Sequence, residues 1–166
     1  SGSPPHKDDR ENLDAEDRYL MTVIATATNP HFRVSRMEVD RRGPSYTIDT
    51  VRELHRIYGK NTEVFFITGA DAILEILTWK EPELVLREAT FIAATRPGYD
   101  LKKLEESLPQ AEKDRHDTDP RGLVMEIPAL AISSTDIRNR VKQGRPVTYL
   151  VPEGVSEFIE KSGFYR

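Results

Sequence analysis

Towards the C-terminal end of the chain, Ile132-Ser133-Ser134-Thr135-Asp136-Ile137-Arg138 places hydroxyl residues at the start of a helical pattern and an arginine one turn in. Hydroxyls there can cap free N–H groups, the helix dipole favours an anion, and the guanidinium of Arg138 adds a fixed positive charge. Ser133, Ser134 and Arg138 therefore form a candidate phosphate site. The plain alternative is that a serine only caps the helix and Arg138 is a solvated charge.

Four other clusters have side chains suited to a nucleotide. Gly69-Ala70-Asp71 follows an apolar run; Gly69 lets a ligand approach the backbone and Asp71 could hold ribose hydroxyls or simply cap the next helix. In Arg96-Pro97-Gly98, Arg96 could face a phosphate or decorate a turn. Pro4-Pro5-His6-Lys7 is a rigid basic turn in which Lys7 is a candidate phosphate contact, with a frayed terminus as the alternative. Thr78-Trp79-Lys80 carries the single tryptophan, whose indole can stack on a planar ring or pack into a core.

Elements that would position these clusters alternate along the chain. Helical spacing runs from Asp14 to Thr28 and from Tyr46 to Tyr58, the second followed by Gly59. Phe32 to Val39 alternates as a strand with one wet face. Val64 to Ile67 is a short apolar run of the type buried on both faces of a parallel sheet, and Phe91 to Ala94 repeats it. Helical pieces are expected at 72–77, at Glu83 to Glu88 and at Leu101 to Leu108. Ala111 to Arg121 reads as a charged loop, and Leu123 to Ile127 as a further strand. Helices follow from Thr135 to Lys142, ending at Gly144, and from Pro152 to Ile159, with Gly163 beyond. This order predicts an α/β fold with a mostly parallel sheet, where ligands bind at the carboxyl ends of the strands.

Composition narrows the function classes. A chain of 166 residues with 37% apolar residues can bury one core but not two ordinary ones, so a single domain over 1–166 is expected. Its net charge of −4 gives no basic field for a nucleic acid backbone, while leaving a local anion site open. The absence of cysteine excludes disulfides, thiolate catalysis and cysteine-ligated metals, and fits a cytoplasmic setting. No apolar run approaches the ~18 residues of a membrane span, so a soluble protein without a membrane partner is expected.

Taken together, Pro4 to Lys7, Gly43-Pro44-Ser45-Tyr46-Thr47-Ile48-Asp49-Thr50, Phe66 to Asp71, Thr78 to Lys80, Arg96 to Gly98 and Ile132 to Arg138 resemble the nicotinate mononucleotide adenylyltransferases of bacterial NAD synthesis, within the nucleotidyltransferase superfamily. All six stand in the family's order, and Gly163-Phe164-Tyr165-Arg166 is similar to family ends. The resemblance implies a Rossmann-like nucleotidyltransferase fold with helices on both faces of the sheet. It also implies AMP transfer from ATP to nicotinate mononucleotide, giving deamido-NAD and pyrophosphate, with Mg2+ held mainly through the ATP phosphates. Carried over by position, Ser133, Ser134 and Arg138 resemble the ATP phosphate cradle, with Gly69 and Asp71 beside the ribose. Trp79 resembles the residue that stacks on the nicotinate ring, with Thr47 and the backbone near Lys80 receiving its carboxylate. Lys7, and more weakly Arg96, resemble contacts near a substrate phosphate.

One departure from the family pattern is large. Its opening G-T-F-D-P-x-H-x-G-H turn, whose histidines bind ATP phosphates, has no counterpart here. His6, His31, His55 and His116 lack that spacing and read as surface residues, so no catalytic residue is assigned. The expectation is that the family's N-terminal strand-helix-strand lies outside this chain and that the chain alone is inactive. The alternatives are a non-catalytic nucleotide-binding module, or an adenylyltransferase for nicotinamide mononucleotide or another phosphorylated acceptor. A homo-oligomer is one option that composition leaves open.

Overall fold

The structure is a computed structural model that describes residues 13–69, 72–73, 75–95, 122–128 and 132–166. The chain divides into two compact units, Ser1–Ser45 with Leu130–Arg166, and Tyr46–Ala129.

The Tyr46–Ala129 unit holds a parallel three-stranded sheet of β1 (Phe65–Gly69), β2 (Thr90–Thr95) and β3 (Gly122–Glu126), in the order β1-β2-β3. Pairing sets Phe66 beside Phe91 and Gly69 beside Ala94, then Ala94 beside Met125. Two helices, α2 (Thr47–Tyr58) and α3 (Pro82–Glu88), belong to the same unit. Ile48 and Val51 of α2, Val85 and Leu86 of α3, and Phe91 and Ala93 of β2 form its core with Ile73, Ile76 and Ala89. Spacings of three in α2 and two in β2 aim each set at one side, as helical and extended backbones require. The expected parallel sheet is present.

The β1 expectation needs correction. Rather than being buried on both faces, β1 alternates: Phe66 packs against the core, whereas Phe65 and Ile67 are 52% and 69% exposed. The face that carries Phe66 is covered by the core, and the face that carries Phe65 and Ile67 is open. The stretch from 72 to 77 is helical at Ala72 and Ile73 and then tightens into a 3₁₀ turn at Ile76–Thr78. There Thr78 Oγ1 donates to the Glu75 carbonyl at 2.7 Å, a local bond that competes with helix continuation.

In the other unit, α1 (Ala15–Thr26) packs against α5 (Glu153–Ser162); Ile137 of α4 (Ser134–Lys142), Val147, and Val155 and Ile159 of α5 are buried. Gly154 lets α5 approach α1, because a Cβ there would stand 2.8 Å from Ile24 Cγ2. Gly163 ends α5 at φ 68°, and the Phe164 N–H reaches back to the Ile159 carbonyl at 3.1 Å.

No strand forms over Phe32 to Val39: residues 32–36 have no regular structure, and a turn covers 37–39. Ser35 Oγ accepts from the Met37 N–H at 3.2 Å, and the Asp40 N–H bonds to the Arg36 carbonyl at 2.8 Å. Arg36 is also held by Glu16 at 2.8 Å and Asp40 at 2.9 Å, above the Tyr19 ring. Both partners hold its guanidinium pKa above the ordinary arginine value. Alternation alone does not make a strand where local side-chain bonds satisfy the backbone. The expected helix at Leu101 to Leu108 and loop at Ala111 to Arg121 lie outside the described residues.

Candidate functional site

The N-terminus of α4 carries the first cluster. Ser133 is the N-cap, and its Oγ accepts the Asp136 N–H at 3.1 Å. Ser134 begins the helix and is exposed. Helical side chains slant towards the N-terminus, and Arg138 follows this rule: its Nη2 donates to Thr135 Oγ1 at 3.2 Å. The guanidinium is thereby brought back to the turn that holds the free N–H groups. Asp136, the acid of that turn, is engaged by Arg140 Nε at 2.7 Å. Two arginines against one aspartate, added to the dipole, leave the helix start positive. The cap and the cationic site thus coexist, since Ser133 caps while Ser134 and Arg138 face outwards. Burial raises the pKa of the nearby Tyr165 phenol, while Arg138 and Arg18 oppose the shift.

The second cluster lies in the Tyr46–Ala129 unit, around the first turn of α2 and the turn after Ile76–Thr78. Trp79 is half-buried, its ring centroid 5.8 Å from Phe66 at an interplanar angle of 73° and 6.2 Å from Phe91 at 58°. These steep contacts pack the indole against the core without stacking it flat on either phenyl ring. Lys80 Nζ lies 3.2 Å from Asp49 Oδ2 and 4.6 Å from the centre of the Tyr46 ring, which ties the tryptophan turn to the start of α2. Thr47 is the first residue of that helix, and its N-cap, Tyr46, makes no side-chain capping bond. The Asp49 and Thr50 N–H groups bond to the Tyr46 carbonyl, so the earlier N–H groups of the turn are suited to an anion. Gly69 ends β1, and a Cβ built there meets nothing within 4 Å. It stands three residues beyond Phe66, about 10 Å at ~3.3 Å per strand residue.

Of the residues expected to form the site, Thr47, Gly69, Trp79 and Lys80 fall in one unit, and Ser133, Ser134 and Arg138 in the other. Lys7, Asp71 and Arg96 lie outside the described residues. Supporting residues that the sequence reading missed are Tyr46, Asp49, Arg52 and Glu81; the i,i+3 spacing of Asp49 and Arg52 on an amphipathic helix was their available signal.

His55 also departs from expectation. Its side chain is only 15% exposed, Nε2 lies 3.2 Å from the Glu88 carbonyl oxygen, and Nδ1 is buried without a hydrogen-bond partner among the described residues. Ile48, Val51 and His55 follow helical spacing, so the histidine inherits the buried face of α2. His31 is exposed, as expected, with its N–H bonded to Asn29 Oδ1. His6 and His116 lie outside the described residues. Beside His55 a cleft of about 500 Å³ is lined by Arg52, Arg56, Lys60, Arg87 and Glu88. Its arginines pair with Glu81, Glu53 and Glu88, so this cleft is an ion-paired surface, and Arg52 links it to the tryptophan turn through Glu81.

Comparison with known proteins places these features. The cytidylyltransferase-like family model matches residues 1–140. The chain is 59% identical to a probable nicotinate-nucleotide adenylyltransferase of Moorella thermoacetica, over 100% of this chain and 75% of that relative. It is 49% identical to another so named from a Thermoanaerobacter species, over 100% and 77%. Among solved structures, the Plasmodium falciparum nicotinic acid mononucleotide adenylyltransferase complexed with NaAD superposes with a TM-score of 0.69 at 18% identity, covering 96% of this chain and 78% of that one. That likeness establishes the α/β nucleotidyltransferase fold, and the sequence identities establish the kinship. The chain belongs to the nicotinate-nucleotide adenylyltransferases of the cytidylyltransferase-like family.

Proposed function

We propose that this chain serves the transfer of AMP from ATP to the phosphate of nicotinate mononucleotide, giving deamido-NAD and pyrophosphate in NAD biosynthesis. The observation that carries this reading is the 59% identity, over the whole chain, to a relative named for that reaction. In it, residues 1–166 belong to one nucleotidyltransferase domain. The acceptor's pyridine ring stacks on Trp79, and its carboxylate meets the Thr47 hydroxyl and the backbone at Lys80. The first turn of α2, whose N-cap makes no side-chain capping bond, and the half-buried indole, stacked flat on neither Phe66 nor Phe91, support that assignment.

ATP lies with its phosphates on Ser133, Ser134 and Arg138 and its ribose by Gly69 and Asp71, and the open space at Gly69 suits this placement. Lys7 and Arg96 serve the acceptor phosphate. A phosphate oxygen of the acceptor attacks the α-phosphorus of ATP, and pyrophosphate leaves with the electron pair of the broken P–O bond. The chain's contribution is to align the two phosphates and offset their charge.

Among the described residues no group of three or more His, Asp or Glu side chains gathers to hold a metal ion. The acids of the two clusters, Asp49, Glu81 and Asp136, are each paired with a cation. These residues fit a Mg2+ ion that arrives on the triphosphate, where it supplies charge neutralisation. No described helix is long and apolar enough to cross a membrane.

The deciding assay is pyrophosphate release from ATP and nicotinate mononucleotide, with deamido-NAD quantified in parallel. It is run on this chain and on a form extended N-terminally to the length of its relatives, with nicotinamide mononucleotide as the competing acceptor. Equimolar products in either form support the reading; none in both overturns it.

A further inference from the structure

Glu81 has φ 51° and ψ 56°, one of three non-glycine residues with positive φ among those described. Two local preferences oppose that conformation. The Cβ disfavours the left-handed region, and the following Pro82 favours extended backbone at its predecessor. A tertiary contact overrides both: Arg52 Nη1 and Nη2 donate to Glu81 Oε1 and Oε2 at 3.0 and 2.6 Å. This two-point fork fixes direction as well as distance, and it holds the Glu81 carboxyl below the ordinary glutamate range.

The fork continues into a relay. Arg52 lies 3.8 Å from Asp49, which receives Lys80 at 3.2 Å, and Lys80 sits over the Tyr46 ring. Asp49 and Arg52, three apart, share one face of α2. Both residues that follow Trp79 are therefore tied to the same helix face, while the indole packs at steep angles against Phe66 and Phe91. At Trp79 the backbone is extended, with ψ 163°, and two residues later it turns left-handed into α3.

We infer that Asp49, Arg52 and Glu81 are positioning residues, whose ion pairs hold the Trp79–Lys80 backbone against the first turn of α2 and so set the indole for the acceptor's pyridine ring. The inference rests on the reading of Trp79 given above. It adds acceptor affinity and selectivity to what these three side chains do, with ATP binding left to other residues.

Trp79 is the sole tryptophan, so its emission reports the turn directly. The test compares wild type, Glu81→Gln, Arg52→Lys and the reversed pair Arg52→Glu with Glu81→Arg, each first shown folded by far-UV circular dichroism at the assay temperature. Glu81→Gln should make Trp79 more accessible to acrylamide and raise KM for nicotinate mononucleotide by about fivefold, with kcat and the KM for ATP within about twofold. Arg52→Lys keeps the charge without the fork and should show the same direction, and the reversed pair should recover part of the loss. Unchanged quenching and unchanged acceptor KM in folded Glu81→Gln would overturn the inference, as would equal losses for both substrates. Trp79→Ala separates the two claims. If it raises the acceptor KM while Glu81→Gln does not, only the positioning role fails; if Trp79→Ala itself has no effect, the stacking reading fails.

Discussion

Ser133 can be tested for its two roles at once, because substitutions there reverse in rank between stability and ATP affinity. Ser133→Ala removes the acceptor of the Asp136 N–H, a bond of 3.1 Å at the N-cap. Loss of such a cap costs about 1 kcal/mol, or about fivefold in the ratio of folded to unfolded protein. Ser133→Asp supplies an equivalent acceptor and adds a carboxylate at the positive end of the dipole, so its stability should equal or slightly exceed wild type.

Phosphate binding responds in the opposite sense. Ser133 is exposed, so a carboxylate about 4 Å from a phosphate costs roughly 1 kcal/mol per charge pair at the dielectric of water. Facing a triphosphate this reaches about 2 kcal/mol, near thirtyfold in Kd. Alanine loses one charge-assisted hydrogen bond to phosphate, about 1.5 kcal/mol or more, and aspartate loses the same donor in addition to the repulsion. Stability should therefore rank aspartate at or above serine and both above alanine, whereas ATP affinity should rank serine, alanine, aspartate. Urea unfolding followed by circular dichroism gives the first order, and calorimetric titration with a non-hydrolysable ATP analogue gives the second. Added salt should narrow the gap between alanine and aspartate. An aspartate variant that binds the analogue as tightly as wild type refutes the phosphate site, and an alanine variant of undiminished stability refutes the cap.

Three further expectations follow from particular contacts. Gly154→Ala forces a Cβ to 2.8 Å from Ile24 Cγ2, which should destabilise the α1–α5 pair by about 1–3 kcal/mol; a melting temperature equal to wild type would contradict that packing. Trp79→Ala should raise KM for nicotinate mononucleotide much more than KM for ATP, and steady-state kinetics with each substrate varied in turn would show otherwise if the two rise together. The Glu81 carboxyl has its pKa lowered by the Arg52 fork, so the pair's contribution is fully present above the ordinary glutamate value of about 4.3 and fades as pH falls through the lowered value. Acrylamide quenching of Trp79 should accordingly rise on acidification below about pH 4, with the rise absent in Glu81→Gln; a pH-independent wild type would argue against the link.

Elements whose cause is local were legible before any coordinates. The spacing of Ile48 and Val51 makes α2, Gly59 and Gly163 stop helices where they stand, and Ser133 caps α4, each decided by side chains within a few residues of one another. The single Trp79 and the hydroxyl cluster stood out by residue type as candidates, with core packing and a helix cap as their alternatives. Phe32 to Val39 misled because alternation reports amphipathicity but not a pairing partner, and here Ser35 and Arg36 satisfy the backbone by turns.

What the tertiary structure alone decided depends on residues distant in sequence. Phe65 and Ile67 read as core but lie exposed on one face of β1, because burial of a face depends on what packs over it rather than on the run itself. His55 read as a surface residue, yet it turns inward with Val51 and meets the Glu88 carbonyl 33 positions away. Glu81 contradicts its own backbone preference, and its carboxylate is held there by Arg52, 29 residues earlier. Short-range periodicity can place a functional side chain on a helix or a turn. The grip that orients it comes from contacts whose loop closure local propensity does not encode.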